Sequence, residues 1–237
     1  MPVASILAKV SACDASNVHN FDGASEKRSN VRMSKQPQEA IVAVTGASGA
    51  AYALALIERL ARLGVRQHLL ISEAARVVLA QECDLSLPAD AAPAVIGDSI
   101  ATHLSLEAAK LVCYSSNDWF SPVASGSAGI RHMVVVPCSM GSLARIASGV
   151  SGNLIERAAD VILKESRQLI LVPRETPLSS IHLEQMLKLS NMGVRIIPAM
   201  PGFYHRPTQV SDLVDFVVDR VIDHLDLNDG EVKRWGG

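Results

Sequence analysis

The sequence predicts an α/β fold: one parallel sheet of the Rossmann-like (flavodoxin-like) type with helices on both faces, in a single domain. Short apolar runs alternate with longer stretches in which apolar residues recur at helical spacing. Apolar residues make up 49% of the 237 residues and aromatic residues only 4%. That composition favours an aliphatic sheet buried on both faces over an all-β structure.

The periodicity predicts the elements in order along the chain. Strands are predicted at 41–44, 68–71, 133–136, 169–172 and 194–197. Helices are predicted at 51–63, 74–82, 141–148, 154–165, 180–191 and 210–225. Between Leu87 and about Gly129 the periodicity fails, and we expect a helix-containing insertion with a mobile loop at 115–129.

The two ends of the chain look different from its middle. Residues 1–38 are rich in Ser, Asn, Asp and Lys without a sustained period, so we expect a poorly ordered N-terminal extension. Met33 begins a more ordinary protein start, and residues 1–32 are expected to be dispensable or a mis-assigned start. Residues 39–228 are predicted as the folded domain and 229–237 as a C-terminal tail.

Charge and apolar-run length exclude several classes of protein. Lys and Arg total 22 against 24 Asp and Glu, so no overall basic field exists for a nucleic-acid partner. No apolar run reaches the roughly 18–20 residues that cross a bilayer, so no membrane partner is expected.

Cysteine and histidine spacing argues against a metal site. The four cysteines are Cys13, Cys83, Cys113 and Cys138. They lack the paired spacings of zinc and redox motifs, which favours a reducing, cytoplasmic location. His182 and His205 have no partner at metal-ligand spacing, and no metal is expected.

A glycine-rich segment joins the first predicted strand to the first predicted helix. It reads Thr-Gly-Ala-Ser-Gly-Ala at 45–50, where backbone N–H groups and the helix dipole favour a phosphate. It matches neither G-x-G-x-x-G nor the P-loop, so a standard dinucleotide or nucleoside-triphosphate site is not supported. Such turns also occur for purely structural reasons, and the segment alone leaves both interpretations open.

Small, hydroxylic or charged residues also follow the other predicted strands. Ligands of an open parallel sheet bind beyond the carboxyl ends of its strands, so we expect these runs to meet at one site. They are Ser72, 137–142, 173–177 and 198–205. The alternative is that strand ends simply turn polar where they reach solvent.

Two predicted helices carry cations of interest. Arg157 and Lys164 share a helix face, and the spacing allows Asp160 to pair with Lys164. This spacing fits a solvated, salt-bridged helix as well as an anion site.

Arg220, on the last predicted helix, is expected to border the apolar stripe. The acidic residues expected on the opposite side are Asp212, Asp215, Asp219 and Asp223. A partly buried Arg220 would need an anionic partner, either a bound phosphate or a distant carboxylate.

Six motifs resemble the UbiX family of flavin prenyltransferases in both order and spacing. They read TGASGA at 45–50, ISEAAR at 71–76, PCS at 137–139, LIERAADV at 154–161, PRETP at 173–177 and PGFYHRP at 201–207. The likeness runs from about Ile41 to Trp235.

The resemblance implies an activity and an assembly. Reduced FMN would be both bound group and substrate, and dimethylallyl phosphate would donate the prenyl group that closes a fourth ring across flavin N5 and C6. The prenylated FMN would serve a partner decarboxylase of the UbiD type. The family also implies a large homo-oligomer, a dodecamer built from trimers, with pockets near subunit contacts.

The resemblance also implies roles for the matching positions. The flavin would be held by Gly46, Ala47, Ser48, Ser72, Ser139, Met140, Gly141, Ser142 and Arg174. The donor phosphate would be held by Arg157, Lys164, Tyr204 and Arg220. Catalytic proton transfer would fall to Ser48, Glu82 and Glu175, and the prenyl pocket would be lined by Trp119 and Trp235.

Two other functions stay open on the sequence. An FMN-dependent decarboxylase of the cysteine-decarboxylase type shares the fold and the FMN loop, although its Pro-Ala-Ser-Ala-Asn-Thr run is not found here. A non-catalytic carrier of prenylated flavin would need the same pocket without the chemistry. A direct carboxy-lyase for aromatic acids is disfavoured, because the matching residues form a phosphate clamp.

Overall fold

A computed structural model describes residues 38–225, in which six strands form one parallel sheet. The strands are β1 (Glu39–Val44), β2 (Arg66–Ile71), β3 (Leu111–Tyr114), β4 (His132–Cys138), β5 (Gln168–Pro173) and β6 (Arg195–Ile196). The helices are α1 (Ala50–Arg62), α2 (Glu73–Cys83), α3 (Pro93–His103), α4 (Met140–Ala147), α5 (Leu154–Lys164), α6 (Ser180–Asn191) and α7 (Val210–His224).

Side chains alternate between the two faces of the sheet and build two cores. Val42 and Val44 of β1 pack on one face, and Ile41 and Ala43 pack on the other, as the two-residue period of a strand requires. The first face is covered by α1, α2, α3 and α7. The second is covered by α4, α5 and α6. The predicted fold class, with helices on both faces of one sheet, is confirmed.

The strand order places a binding crevice near the middle of the sheet. It runs β3-β2-β1-β4-β5-β6, so the chain leaves β1 toward one edge and later returns to β4 beside it. At such a switch point the connections after the two central strands diverge to opposite faces and open a crevice. Residues 45–49 and 139–142 lie at this point.

One strand, β3, was not predicted from the sequence. Its four residues, Leu111–Tyr114, fall in the region where the apolar periodicity fails, and they form an edge strand beside β2. A strand this short carries too little alternation to be recognised. The predicted helix of this insertion is present as α3, and short 3-10 turns at Pro122–Ala124 and Gly126–Ala128 follow β3.

The described residues form one compact unit. Apart from Gln38, the predicted extension at 1–38 lies outside them, as does the predicted tail at 229–237. Between residues 38 and 225 no helix is long and apolar enough to cross a bilayer.

Candidate functional site

Thr45 ties together the two loops of the switch point. Its hydroxyl donates to the carbonyl oxygen of Pro137 at 2.8 Å and accepts from the N–H of Ser139 at 2.8 Å. The side chain is buried at 1% exposure, where an unmade hydrogen bond would be costly. Thr45 was not assigned a role of its own from the sequence. A hydroxyl group directly after an apolar strand could have indicated a hydrogen bond to a neighbouring strand end.

Two glycines of the loop are required by the backbone itself. A Cβ on Gly46 would lie 2.3 Å from the Cβ of Ala74, so the loop can approach α2 only without a side chain there. Gly49 caps α1 with a φ of 115° and no side-chain cap, a conformation that glycine adopts without strain.

Glu82 of α2 supplies the cap that Gly49 lacks. One carboxylate oxygen accepts from the N–H groups of Gly49 at 2.8 Å and Ala50 at 2.9 Å, and Ser48 bonds to the same carboxylate through its side chain. The anion position at the start of α1 is therefore filled by a carboxylate of this chain. The interpretation of these first helical amides as a phosphate cradle is corrected accordingly.

The hydrogen bonds to Glu82 determine its protonation. Partial burial alone would raise its pKa, but bonds from Ser48, Gly49 and Ala50, with the nearby charge of Arg174, lower the pKa below the ordinary value. Glu82 is thus ionised at neutral pH. It can orient the Ser48 hydroxyl or accept a proton, whereas it has no proton to donate.

The residues predicted for the flavin lie together at the carboxyl edge of the sheet. Arg174, after β5, donates from Nε to the carbonyl oxygen of Ser48 at 2.9 Å. The N–H of Ser72, after β2, donates to the carbonyl oxygen of Val44 at 3.0 Å. The structure thus brings the ends of β1, β2, β4 and β5 to one place, as the strand-end argument predicted.

Ser72 and Ser139 also cap helices. The Ser72 hydroxyl accepts from Ala75 N–H at 3.1 Å, and that of Ser139 accepts from Ser142 N–H at 3.2 Å. These caps begin α2 and α4 at the edge of the crevice, where their first-turn amides face it. The part of the sequence spanning Ser139 to Ser142 is therefore anchored as a rigid turn.

Glu175 is less constrained than Glu82. Its Oε1 accepts from the N–H of the next residue, Thr176, at 3.0 Å, and the side chain is half-buried. It directly follows Arg174, so it lies beside the flavin-side residues at the end of β5.

The residues predicted for the donor phosphate are distributed differently. Arg157 and Lys164 belong to α5 and Arg220 to α7, and these helices cover opposite faces of the sheet. Lys164 ends α5, and α7 ends where the His224 carbonyl accepts from Gln168 at the start of β5. Lys164 and Arg220 thus lie toward the amino ends of the strands, away from the crevice.

Each of these cations has a carboxylate neighbour on its own segment. Arg157 pairs with Asp160 at 3.1 Å and Lys164 with Glu165 at 3.4 Å. The pair that the spacing allowed between Asp160 and Lys164 is therefore not the one observed, since Asp160 pairs with Arg157 one turn earlier. Arg157 also donates from Nε to the carbonyl oxygen of Ala124 at 3.1 Å.

The expectation for Arg220 is also wrong. Its side chain is 51% exposed and its guanidinium lies 2.9 Å from Asp223. Residues three apart on a helix are neighbours, so Asp223 does not lie on the far side. Arg220 is therefore exposed and already paired with a carboxylate, so its position gives no reason to expect a bound phosphate.

The aromatic residues of the predicted donor side are exposed. Tyr204 packs edge-on against His205 and Phe216 and is 57% exposed. Trp119, in the connection after β3, is 46% exposed beside a fully exposed Phe120. Trp235 lies outside the described residues.

Within residues 38–225, no group of three or more His, Cys, Asp or Glu side chains is arranged to hold a metal. Burial raises the pKa of the Cys113 and Cys138 thiols to about 12. Both thiols are thus protonated at neutral pH and act as packing groups.

The chain matches known proteins over most of its length. The sequence profile of the Flavoprotein family matches residues 28–222. The flavin prenyltransferase UbiX of Pseudomonas aeruginosa is 50% identical over 200 residues, which span 84% of this chain and 95% of that protein. The chain belongs to the UbiX family of flavin prenyltransferases. The resemblance drawn from the six motifs is confirmed.

Solved structures of UbiX-like proteins share the fold. A dodecameric FMN-dependent UbiX-like decarboxylase from Escherichia coli O157:H7 superposes with a TM-score of 0.73 and 40% identity, covering 84% of this chain and 100% of that one. AnUbiX in complex with FMN and dimethylallyl pyrophosphate gives 0.74 and 39%, covering 85% and 99%.

Proposed function

We propose that this UbiX-family enzyme transfers a dimethylallyl group from dimethylallyl phosphate to reduced FMN, bonding to N5 and C6. The observation that carries this proposal is the gathering of the family's flavin residues at the switch point, pinned by Thr45, Arg174 and Glu82. The bound flavin supplies the nucleophilic N5 and C6. The residues described below provide the rest of the chemistry.

The flavin is proposed to bind against the two pinned loops. Gly46, Ala47 and Ser48 offer backbone that approaches closely, and the Ser139 to Ser142 turn offers first-turn amides and hydroxyls. Arg174 places a cation beside Ser48. Because hydrogen bonds within the chain hold these groups, little ordering is needed when the flavin enters.

Cations are proposed to stabilise the departing phosphate. Negative charge grows on the donor oxygen as the allylic bond breaks, and Arg157, Lys164 and Arg220 with the Tyr204 hydroxyl would offset it. These residues lie on opposite faces of one chain. The proposal therefore includes a homo-oligomer, a dodecamer like the Escherichia coli relative, in which one copy completes the clamp of another.

Proton transfer and the prenyl pocket complete the proposal. Glu82 would orient Ser48 and accept a proton, and Glu175 would take the proton released when C6 is alkylated. Trp119 and Trp235 would line the prenyl pocket, where aromatic faces favour an allylic cation. The proposal needs no metal ion, because the arginine and lysine side chains would stabilise the charge on the leaving phosphate.

Location and partner belong to the same proposal. Cys83, Cys113 and Cys138 carry free thiols, which supports a reducing cytoplasm. The prenylated flavin would pass to a UbiD-type decarboxylase. We keep 1–38 as an N-terminal extension, 39–228 as the flavin-binding prenyltransferase domain and 229–237 as a tail.

One anaerobic reaction tests the proposal. Protein, reduced FMN and dimethylallyl phosphate are mixed, and the mass of the released flavin is determined by mass spectrometry. A prenylated flavin is expected, while unchanged FMN retained by the protein would favour the carrier. A parallel reaction with the pyrophosphate identifies the preferred donor.

A decarboxylase is the second candidate, because the relative from Escherichia coli is an FMN-dependent UbiX-like decarboxylase. Incubation of the FMN-loaded protein with an aromatic acid and, separately, with a peptide ending in cysteine tests it. Release of CO2 without prenylated flavin would replace the proposed function.

A further inference from the structure

A pocket of about 210 Å³ opens beside the flavin-side residues, at the carboxyl ends of β2 and β3. Its lining includes Ser72, Tyr114, Ser115 and Ser116, and Asn153 just before α5. Because Ser72 belongs to both, the pocket continues the proposed flavin crevice toward the sheet edge. An aromatic wall with a few small polar groups suits a planar, polar ring system.

Tyr114 is held by a buried histidine. Its hydroxyl lies 2.8 Å from Nδ1 of His68, and the two rings stack with centroids 5.8 Å apart at 14°. Both side chains lie on the face of the sheet that α5 covers, with Tyr114 at the end of β3 and His68 in the middle of β2. Tyr114 therefore lines the pocket while its hydroxyl is directed toward His68, away from the carboxyl end of the sheet.

His68 is held in turn from the other side. It is 3% exposed, and its Nε2 lies 3.5 Å from Oε2 of Glu39, whose other oxygen contacts Arg66 at 3.7 Å. Burial lowers the pKa of His68, although Glu39 opposes the shift, so the ring is neutral at neutral pH. With the ring proton on Nε2, toward the carboxylate, Nδ1 would accept from the Tyr114 hydroxyl.

We propose that the Tyr114 ring forms a wall of the flavin pocket and that His68 is a positioning residue that holds this ring through its hydroxyl. The proposal rests on the proposed function, since it assigns part of the flavin's binding to β3. A ring fixed before the ligand enters contributes its contact without the cost of ordering it. The hydroxyl and His68 provide that fixation.

Four variants test the proposal in the full-length protein: Tyr114→Leu, Tyr114→Phe, His68→Gln and, as a matched control, His132→Gln. His132 also makes an imidazole hydrogen bond in the sheet, 2.8 Å from Gln168, but at the amino end of β4. Each variant is checked by thermal melting, and the FMN Kd and the absorption spectrum of bound FMN are then measured.

Tyr114→Leu is expected to weaken FMN binding about 2- to 10-fold, the loss typical of one aromatic contact, and to change the bound-flavin spectrum. The KM for dimethylallyl phosphate should not change. Tyr114→Phe and His68→Gln should have smaller effects that do not add when combined, because Phe removes and Gln displaces one end of the same hydrogen bond. The His132→Gln control should retain the wild-type Kd and spectrum.

A folded Tyr114→Leu variant with wild-type Kd and spectrum would overturn the proposal, as would a change confined to the donor's KM. If Tyr114→Phe alone matches wild type, the role of His68 is overturned even where His68→Gln fails to fold. Wild-type protein that binds no FMN would instead refute the proposed function. Wild-type protein that binds FMN without prenylating it would leave the role of Tyr114 intact.

Discussion

The residues proposed for the flavin lie on adjacent strand ends, whereas the cations proposed for the donor phosphate lie on helices that cover opposite faces of the sheet. Hydrogen bonds of 2.8 to 2.9 Å to and from Thr45, from Arg174 and from the amides bound to Glu82 fix the loops of the first group. The second group forms local pairs with Asp160, Glu165 and Asp223. We therefore propose that one chain builds the flavin site and that the donor site is completed by another copy.

This difference has a physical origin. The carboxyl ends of parallel strands meet at one edge whatever the side chains are, so a site built there is assembled by folding itself. Helix surfaces point outward in opposite directions, so cations on them converge only when subunits pack together. We expect flavin binding to follow folding and prenyl transfer to follow assembly.

The largest expected effect is the loss of prenylation when a donor-side arginine is removed, and mixing two such variants tests whether the arginines of one site come from different copies. Arg157→Ala and Arg220→Ala should each lower prenylation about 10²- to 10³-fold with FMN retained, since each removes charge stabilisation from the leaving phosphate. If the two cations of a site come from different copies, dissociation and random reassembly of an equal mixture should restore about one quarter of wild-type activity. The rate of prenylated-flavin formation measures it.

If mixed oligomers of wild-type size recover no prenylation activity, both cations of a donor site come from the same copy. The proposed difference between the flavin site and the donor site would then be wrong. Equal mixtures of each variant with wild type, treated identically, control for losses during reassembly.

Glu82→Gln and Glu175→Gln should retain FMN and slow prenylation by about 10²-fold, because each keeps its shape and loses the ability to accept a proton. Single-turnover rates with saturating donor measure this. Wild-type rates in both would remove the acid–base assignment.

The lowered pKa of Glu82 adds a pH signature. A carboxyl whose pKa is lowered by folding stabilises the protein above its unfolded pKa, and this contribution is lost as pH falls through the folded value. The stability difference between wild type and Glu82→Gln should therefore be constant at neutral pH and shrink in acid, as thermal melts across pH would report. A difference that grows in acid would contradict the capping role.

Gly46→Ala should destabilise the protein by about 1–3 kcal/mol, because overpacking forces the loop away from α2, and should release FMN. Gly97→Ala is the matched control, since a Cβ there would meet only ordinary contacts 3.7 Å away. Urea melts compare the two. Equal free energies of unfolding for the two variants would show that the loop does not pack closely against α2. The proposal that folding itself fixes the flavin site would then lose support.

Ser48→Asp should weaken FMN binding about tenfold, because a second carboxylate beside Glu82 is repelled by it and displaces the loop that the flavin is proposed to contact. Ser48→Asn, of similar size and neutral, should bind more tightly than Ser48→Asp. The double variant with Glu82→Gln should recover part of the loss if repulsion is the cause. Flavin titrations measure all three.

The crevice was predictable from the sequence, whereas the carboxylate partners of the cations were not. A glycine-rich turn after an apolar strand, with small polar runs after the others, is sufficient to place a crevice at the carboxyl edge. Helical spacing correctly put Arg157 and Lys164 on one helix but could not show which carboxylate each would meet. It placed Arg220 against the core, whereas the structure leaves it exposed beside Asp223.

Other features escaped because they depend on contacts distant in sequence. Glu82 caps a helix that begins 32 residues earlier, at Ala50, and nothing local marks it as a cap. Tyr114 belongs to a four-residue edge strand inside an irregular region, so neither its strand nor its contact with His68 has a local signal. Trp235 lies beyond the described residues and its role stays a prediction.

The smallest expected effect concerns Asp223. Its pair with Arg220 involves a guanidinium side chain that is 51% exposed, and such surface pairs contribute about 0–1 kcal/mol. Asp223→Asn should therefore change the free energy of unfolding by less than about 1 kcal/mol. It should also lower the KM for dimethylallyl phosphate, because Arg220 no longer shares its charge with a neighbour. Asp215→Asn, on the same helix, controls for a general change in charge. A loss of stability well above that range, with an unchanged KM, would assign Arg220 to the scaffold and remove it from the donor side.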